Sequence, residues 1–203
     1  MQLGDQLYII ILVFASLVQG SLLIFTNLQM DMRKQTKLYR WLIICSIAIA
    51  FSDIFARIVS LTNDHGSMFE TLSYMFNGLY FQLHICLTGI WFFYALNEID
   101  ITWKEKPLPV VLSLLPLLLA MVLVMTSSVS GWVFFVDDQN VYHRGDLFLV
   151  LPVMCMIYLL VPSVISLMKI RLREYFIHRT KLITIAVFAV IVLPFVVLQI
   201  VFG

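Results

Sequence analysis

Two charged residues, Asp53 and Arg57, stand inside an otherwise apolar run. Four positions apart, they share one face of a helix. A charge at the centre of a bilayer costs at least ~2.5 kcal/mol, so both are expected to face the interior of a helix bundle and to pair. Two uses for such a pair stay open: an ion pair that fixes helix packing, or a polar wall of a cavity that opens outward. A second group lies in "YMFNGLYFQLHICLTGIW". Asn77 and His84 are seven positions apart and share a face, with Tyr80, Phe81 and Thr88 beside it. His84 is either a proton-sensitive group or a hydrogen-bonded core residue. Asn77, nearer the outer end, is the better candidate for ligand contact. Gln82 points elsewhere, and Gln19 and Gln199 read as polar links between helices.

Catalytic signatures are missing. There is no HExxH or HxxEH pair, no Ser or Cys nucleophile with a base at a recognisable spacing, and no glycine-rich phosphate loop. No apolar run carries an interior lysine that could hold a retinal Schiff base. The expectation is therefore no catalytic residue, no metal, no cofactor and no enzymatic activity. Cys45, Cys86 and Cys155 all fall in apolar runs, odd in number and irregular in spacing. They read as small buried side chains, not as a disulfide framework or a metal site.

The elements that must position these residues are apolar helices. The chain of 203 residues is 62% hydrophobic and 12% charged, with a mean hydropathy of +0.98. A soluble domain needs more polar surface than that. The apolar residues cluster into runs of about 20, the length that crosses a bilayer as a helix. Six spans are expected, at 8–28, 41–61, 72–96, 110–127, 147–168 and 182–202. The first has neither a basic segment before it nor a small-residue cleavage site after it, and so reads as a retained span. Pro116, Pro152, Pro162 and Pro194 fall inside spans, where proline is tolerated and usually bends the helix.

Eleven of the 13 Lys and Arg residues fall in the first, third and fifth connections, which share one side of a six-span protein. The positive-inside rule makes that side cytoplasmic and places the N-terminus outside a plasma membrane. Arg57 and Arg144 are the two basic residues left over. A net charge of +1 gives no electrostatic reason to expect nucleic acid. No internal repeat or linker interrupts the chain, so 1–203 reads as a single membrane domain: an all-α integral membrane bundle of six helices, or a seven-helix sensor lacking its last span.

One connection breaks the apolar pattern. "GWVFFVDDQNVYHRGD" divides into a β-branched and aromatic run, a turn cluster and a second short run, which is a β-hairpin signal over 132–144. Asn140 can take the left-handed conformation that the turn needs. An isolated two-stranded hairpin is marginal in water, so this one must lie on the outer ends of the helices. Alternation places Trp132, Phe134 and Val136 on one face, Val133 and Phe135 on the other, and Tyr142 with Arg144 on one face of the second strand. The hairpin is either a plug or a lid. As a lid, it adds Trp132, Phe134, Tyr142 and Arg144 to a candidate binding set of Asp53, Arg57, Asn77, Tyr80, Phe81 and His84.

The stretch "GWVFFVDDQNVYHRGDLF" resembles the outer loop in membrane sensor regions of many bacterial diguanylate cyclases, at Phe134, Phe135, Asp137, Asn140, Tyr142, Arg144 and Gly145. "SDIFARI" and "NGLYFQLH" are similar to the same group. Over most of its length the chain resembles the seven-helix sensory modules that precede GGDEF or histidine-kinase domains. It departs from them in having no GGDEF sequence, no phosphoacceptor helix and no seventh span, and in carrying Asp146 where many relatives have proline. The resemblance implies a receptor that binds a small molecule, lipid or peptide from outside and controls a cytoplasmic output domain, as part of cyclic-di-GMP or kinase signalling. A homodimer is compatible with that role. A small transporter or channel would instead want inverted repeats and discontinuous helices. A structural assembly protein would use the same polar groups only as packing links.

Overall fold

A computed structural model describes residues 3–28, 34–61, 67–99, 107–137, 139–171 and 179–202. The elements in chain order are α1 (Leu3–Leu28), α2 (Lys34–Ser60), α3 (Ser67–Glu98), α4 (Pro107–Met125), α5 (Ser127–Ser130), β1 (Phe134–Val136), β2 (Tyr142–Arg144), α6 (Val150–Ile170) and α7 (Arg179–Phe202). Every expected span is a helix. Among the described residues, four stretches are long and apolar enough to cross a membrane: Gln6–Phe25, Lys37–Ser60, Met68–Glu98 and Val150–Ile170. In α4 the apolar segment is the shorter Val111–Met125. Prolines fall inside α4, α6 and α7 at Pro116, Pro162 and Pro194. Each removes one main-chain donor from the helix ladder.

The chain divides into two compact units, residues 1–87 with 119–148, and residues 88–118 with 149–203. In the first, polar side chains stitch neighbouring helices together, each satisfying a group that would otherwise be stranded away from water. Gln19 donates to Ser46 Oγ at 2.8 Å, Ser52 donates to the carbonyl of Phe76 at 2.8 Å, and Gln82 donates to the carbonyl of Met121 at 2.8 Å. Gln19 is thus the interhelical link expected of it; the side chain of Gln199 lies outside the described residues.

The second unit has a core of Ala95, Ile99, Leu182 and Ile185, with Trp91, Ile165 and Ile170 packed against it. Polar fasteners surround it. Lys169 Nζ donates to the carbonyl of Ile99 at 2.7 Å, just past the end of α3, where helix carbonyls lack internal partners. Lys181 meets Glu98 at 3.0 Å, and Ser166 donates to the carbonyl of Leu182 at 2.7 Å. The aromatic run Trp91–Tyr94, placed where an interfacial belt is expected, is partly core instead: Phe92 is buried, and Trp91 stacks on Phe188 with ring centroids 4.0 Å apart. All three cysteines are free thiols, and Cys155 accepts a hydrogen bond from Thr88 at 3.2 Å.

The hairpin is shorter than expected. Its ladder is antiparallel and pairs Phe134 with Arg144, Phe135 with His143 and Val136 with Tyr142. Alternation therefore holds only for 134–136: Phe134 and Val136 are buried, and Phe135 points out. Trp132 and Val133 precede the ladder and exchange roles, with Val133 buried and Trp132 exposed. The cause is the turn at Gly131, which sits at φ +66° and reorients the chain before the strand begins.

Candidate functional site

The expected site residues separate into two groups, both within the first unit. The first is polar and lies among α1, α2 and α3. Tyr8 donates its hydroxyl to Asp53 Oδ2. Arg57 and His84 act electrostatically on Asp53, and Arg57 and Tyr80 act on Tyr8. His84 Nδ1 is 3.0 Å from the carbonyl of Tyr80, one turn earlier, and the two rings pack with centroids 4.4 Å apart. Asp53 and His84 are partly buried while Arg57 is exposed. This is an acid, a base, an imidazole and two phenols gathered from three helices. Such a group can bind a polar ligand or exchange protons, or it can simply hold the helices in register.

Tyr8 is the member that sequence reasoning misses. It opens the first apolar run, where an aromatic residue reads as an interfacial anchor, and no periodicity links it to an acid 45 positions away. Asn77 makes its hydrogen bond within α3: its side-chain amide donates to the carbonyl of Ser73 at 2.8 Å.

The second group is aromatic and fastens the hairpin. Phe134 is 1% exposed, and its ring lies 5.5 Å from Phe81, 5.9 Å from Tyr74 and 6.0 Å from Tyr142. Phe81 also meets Phe148 edge-on at 6.1 Å. The guanidinium of Arg144 sits 4.5 Å over the Phe148 ring, a cation–π contact. Phe81, Phe134, Tyr142 and Arg144 are thus brought together, with Phe148, as a packed cluster. Burial in that cluster pushes the Tyr142 phenol up to about 12. Trp132, 53% exposed, is not part of it.

Hydrogen bonds add to the fastening. Ser127 Oγ donates to the carbonyl of Phe134 at 2.8 Å and accepts from the amides of Val133 and Phe134 at 3.1 and 2.9 Å. The Tyr74 hydroxyl accepts from the Val136 amide at 3.1 Å. At the turn, Asp137 Oδ1 accepts from the amides of Gln139 and Val141 at 3.0 and 2.9 Å, and Oδ2 meets His143 Nε2 at 2.7 Å. The His143 hydrogen bond, with help from those amides, holds the Asp137 carboxyl below the usual carboxylate range. Asn140 takes the expected left-handed conformation at φ +61° and donates to the carbonyl of Val59 at 3.0 Å. Tyr74 and Ser127 carry no local sign of these roles, because their partners are main-chain groups, and the contact of Phe148 with Phe81 joins positions far apart in sequence.

Among the described residues, no group of three or more His, Cys, Asp or Glu side chains is placed to hold a metal ion. Comparison of the chain with family models, with curated proteins and with solved structures finds no match.

Proposed function

We propose that the chain is a six-span membrane receptor domain, with its N-terminus and hairpin outside, that senses a polar ligand at the Tyr8, Asp53, Arg57, Tyr80 and His84 cluster and passes the signal to a cytoplasmic partner. The observation that carries this reading is the convergence of Asp53, Arg57 and His84 with Tyr8 in helices apolar enough to cross a bilayer. Ionisable groups in such helices are costly and tend to mark sites. The hairpin acts in this reading as a fixed cap, since Phe134 is core and its neighbours are main-chain fasteners. The resemblance to sensor regions of diguanylate cyclases, at Asp137, Asn140, Tyr142, Arg144 and Gly145, points the same way.

Co-purification tests it. The protein is extracted from membranes in mild detergent, and retained small molecules are identified by mass spectrometry. A polar molecule held in near-stoichiometric amount by the wild type, and lost from both Asp53→Asn and Arg57→Ala, is the expected result. Retention of the same molecules by both variants removes the cluster from the binding site. Substrate flux into liposomes carrying the purified chain replaces the receptor with a transporter.

A further inference from the structure

An exposed apolar stripe on α4 continues past the end of that helix. Val122 is 57% exposed, Met125 72%, Val129 94% and Trp132 53%. Val122, Met125 and Val129 are spaced i, i+3 and i+7, one face of a helix with 3.6 residues per turn, and Trp132 follows the left-handed turn at Gly131. The first two belong to α4, whose apolar segment runs to Met125. The last two lie on α5 and at its exit, beside polar Ser128 and Ser130. A short polar helix gains nothing in water from an almost fully exposed valine followed by a half-exposed tryptophan. At a membrane interface both are favourable: valine enters the acyl boundary and the indole sits at headgroup level.

The opposite side of the same turn holds the hairpin. Ser127 is fully buried, and its hydroxyl makes all three hydrogen bonds to the start of β1. Val129 is two positions further along, about 200° around a helix. The α5 turn is therefore gripped by β1 on one side and exposed as an apolar edge on the other.

We infer that α5 and Trp132 form an interfacial anchor whose partner is the outer lipid surface, so that the root of the hairpin is seated at once on the helix ends and on the bilayer. This inference rests on the reading of the chain as a membrane protein and goes beyond the ligand cluster proposed above. Lipid is the occupant because the stripe is continuous with the apolar face of α4 and carries no charge. The hairpin turn, with Gln139 exposed and Asp137 ionised, stands clear of the bilayer.

Nitroxide scanning in proteoliposomes tests it. Spin labels are attached at Val122→Cys, Val129→Cys and Gln139→Cys in the full chain, with Cys45, Cys86 and Cys155 replaced by alanine. Collision with oxygen and with a water-soluble nickel chelate is read for each. Val122 and Val129 should be reached by oxygen and shielded from nickel, and Gln139 should be open to nickel. Nickel access at Val129 equal to that at Gln139, with Val122 still shielded, overturns the anchor and leaves the membrane reading intact. Nickel access at Val122 overturns the membrane reading itself. Shielding of Val129 from both reagents means that protein covers it, which also overturns the lipid assignment. If the cysteine-free chain does not fold, tryptophan quenching by brominated lipids, compared between wild type and Trp132→Phe, answers the same question. Loss of a strongly quenched component in the variant supports the anchor, and identical quenching overturns it.

Discussion

Asn140 donates its side-chain amide to the carbonyl of Val59 at 3.0 Å, joining the hairpin turn to the last turn of α2. The carbonyls of a helix's final turn have no partner within the helix, and here one of them is satisfied from 81 positions away. The same residue supplies the positive φ that closes the turn. Conformation and hydrogen bond can be separated by substitution. Asn140→Gly keeps the left-handed backbone and loses only the hydrogen bond, a cost of about 0.5–1.5 kcal/mol. Asn140→Ala adds a left-handed penalty of roughly 1–2 kcal/mol. Unfolding of the detergent-solubilised protein should rank wild type above Gly and Gly above Ala. An alanine variant as stable as the glycine variant removes backbone strain from the account.

Gly145 is fixed by close approach. A Cβ at that position runs into the carbonyl oxygens of Gly131 and Trp132, and main chain cannot swing away as a side chain can. The Gly145 and Leu147 amides bond to the carbonyls of Val133 and Trp132, both at 2.8 Å, and an added methyl must break that seam. Gly145→Ala should therefore expose both amides to hydrogen exchange and lower the unfolding midpoint. Gly20 is the control. It lies inside α1, where an added methyl meets nothing within 4 Å, so Gly20→Ala should gain roughly 0.5–1 kcal/mol. Equal exchange at Gly145 and Leu147 in Gly145→Ala and wild type would mean that the seam does not require glycine.

Much of this arrangement is legible in the chain itself. Helix positions follow from runs of apolar residues, and the hairpin follows from a turn cluster between two short β-prone runs, because both signals are local. Asn140 is legible for the same reason: few residues tolerate its conformation. What escapes is the pairing of distant groups. Tyr8 with Asp53, Tyr74 with Val136 and Ser127 with Phe134 each join a side chain to a partner that no spacing predicts. Trp132 escapes for a different reason. Strand alternation does not reach it, because Gly131 turns the chain before the ladder starts.

The turn at Asp137 should respond to acid. Its carboxylate lies below the usual range because His143 hydrogen-bonds it and the Val141 and Gln139 amides point at it. A depressed folded value contributes stability that is present above the unfolded value, about 4, and is lost as pH falls through the folded value. Asp137→Asn keeps an acceptor for the turn amides and removes the charge. The wild type should accordingly lose more stability than Asp137→Asn as pH falls from about 4 into more acid solution. His143→Gln removes the largest cause of the depression, so the loss should begin at higher pH. Parallel melting-temperature profiles for wild type and Asp137→Asn across that range would count against a folded-state role for the carboxylate.

Ser127 offers the sharpest test of how the hairpin is held. One hydroxyl serves three main-chain groups at the start of β1, and the site is fully buried. Ser127→Ala leaves the Val133 amide and the carbonyl and amide of Phe134 to find other partners. A buried polar group without one costs about 1–3 kcal/mol. β2 already pairs with this strand, so some of the loss will be recovered, and a total of at least ~2 kcal/mol is expected from the unfolding midpoint. The loss should be local. Exchange should rise at Val133 and Phe134, while the α6–α7 core around Leu182 and Ile185 keeps its protection. Ser127→Cys, close in size but a poor donor, should fall between wild type and alanine. If alanine at 127 leaves the Val133 and Phe134 amides as protected as before, the aromatic cluster around Phe134 alone holds the hairpin in place.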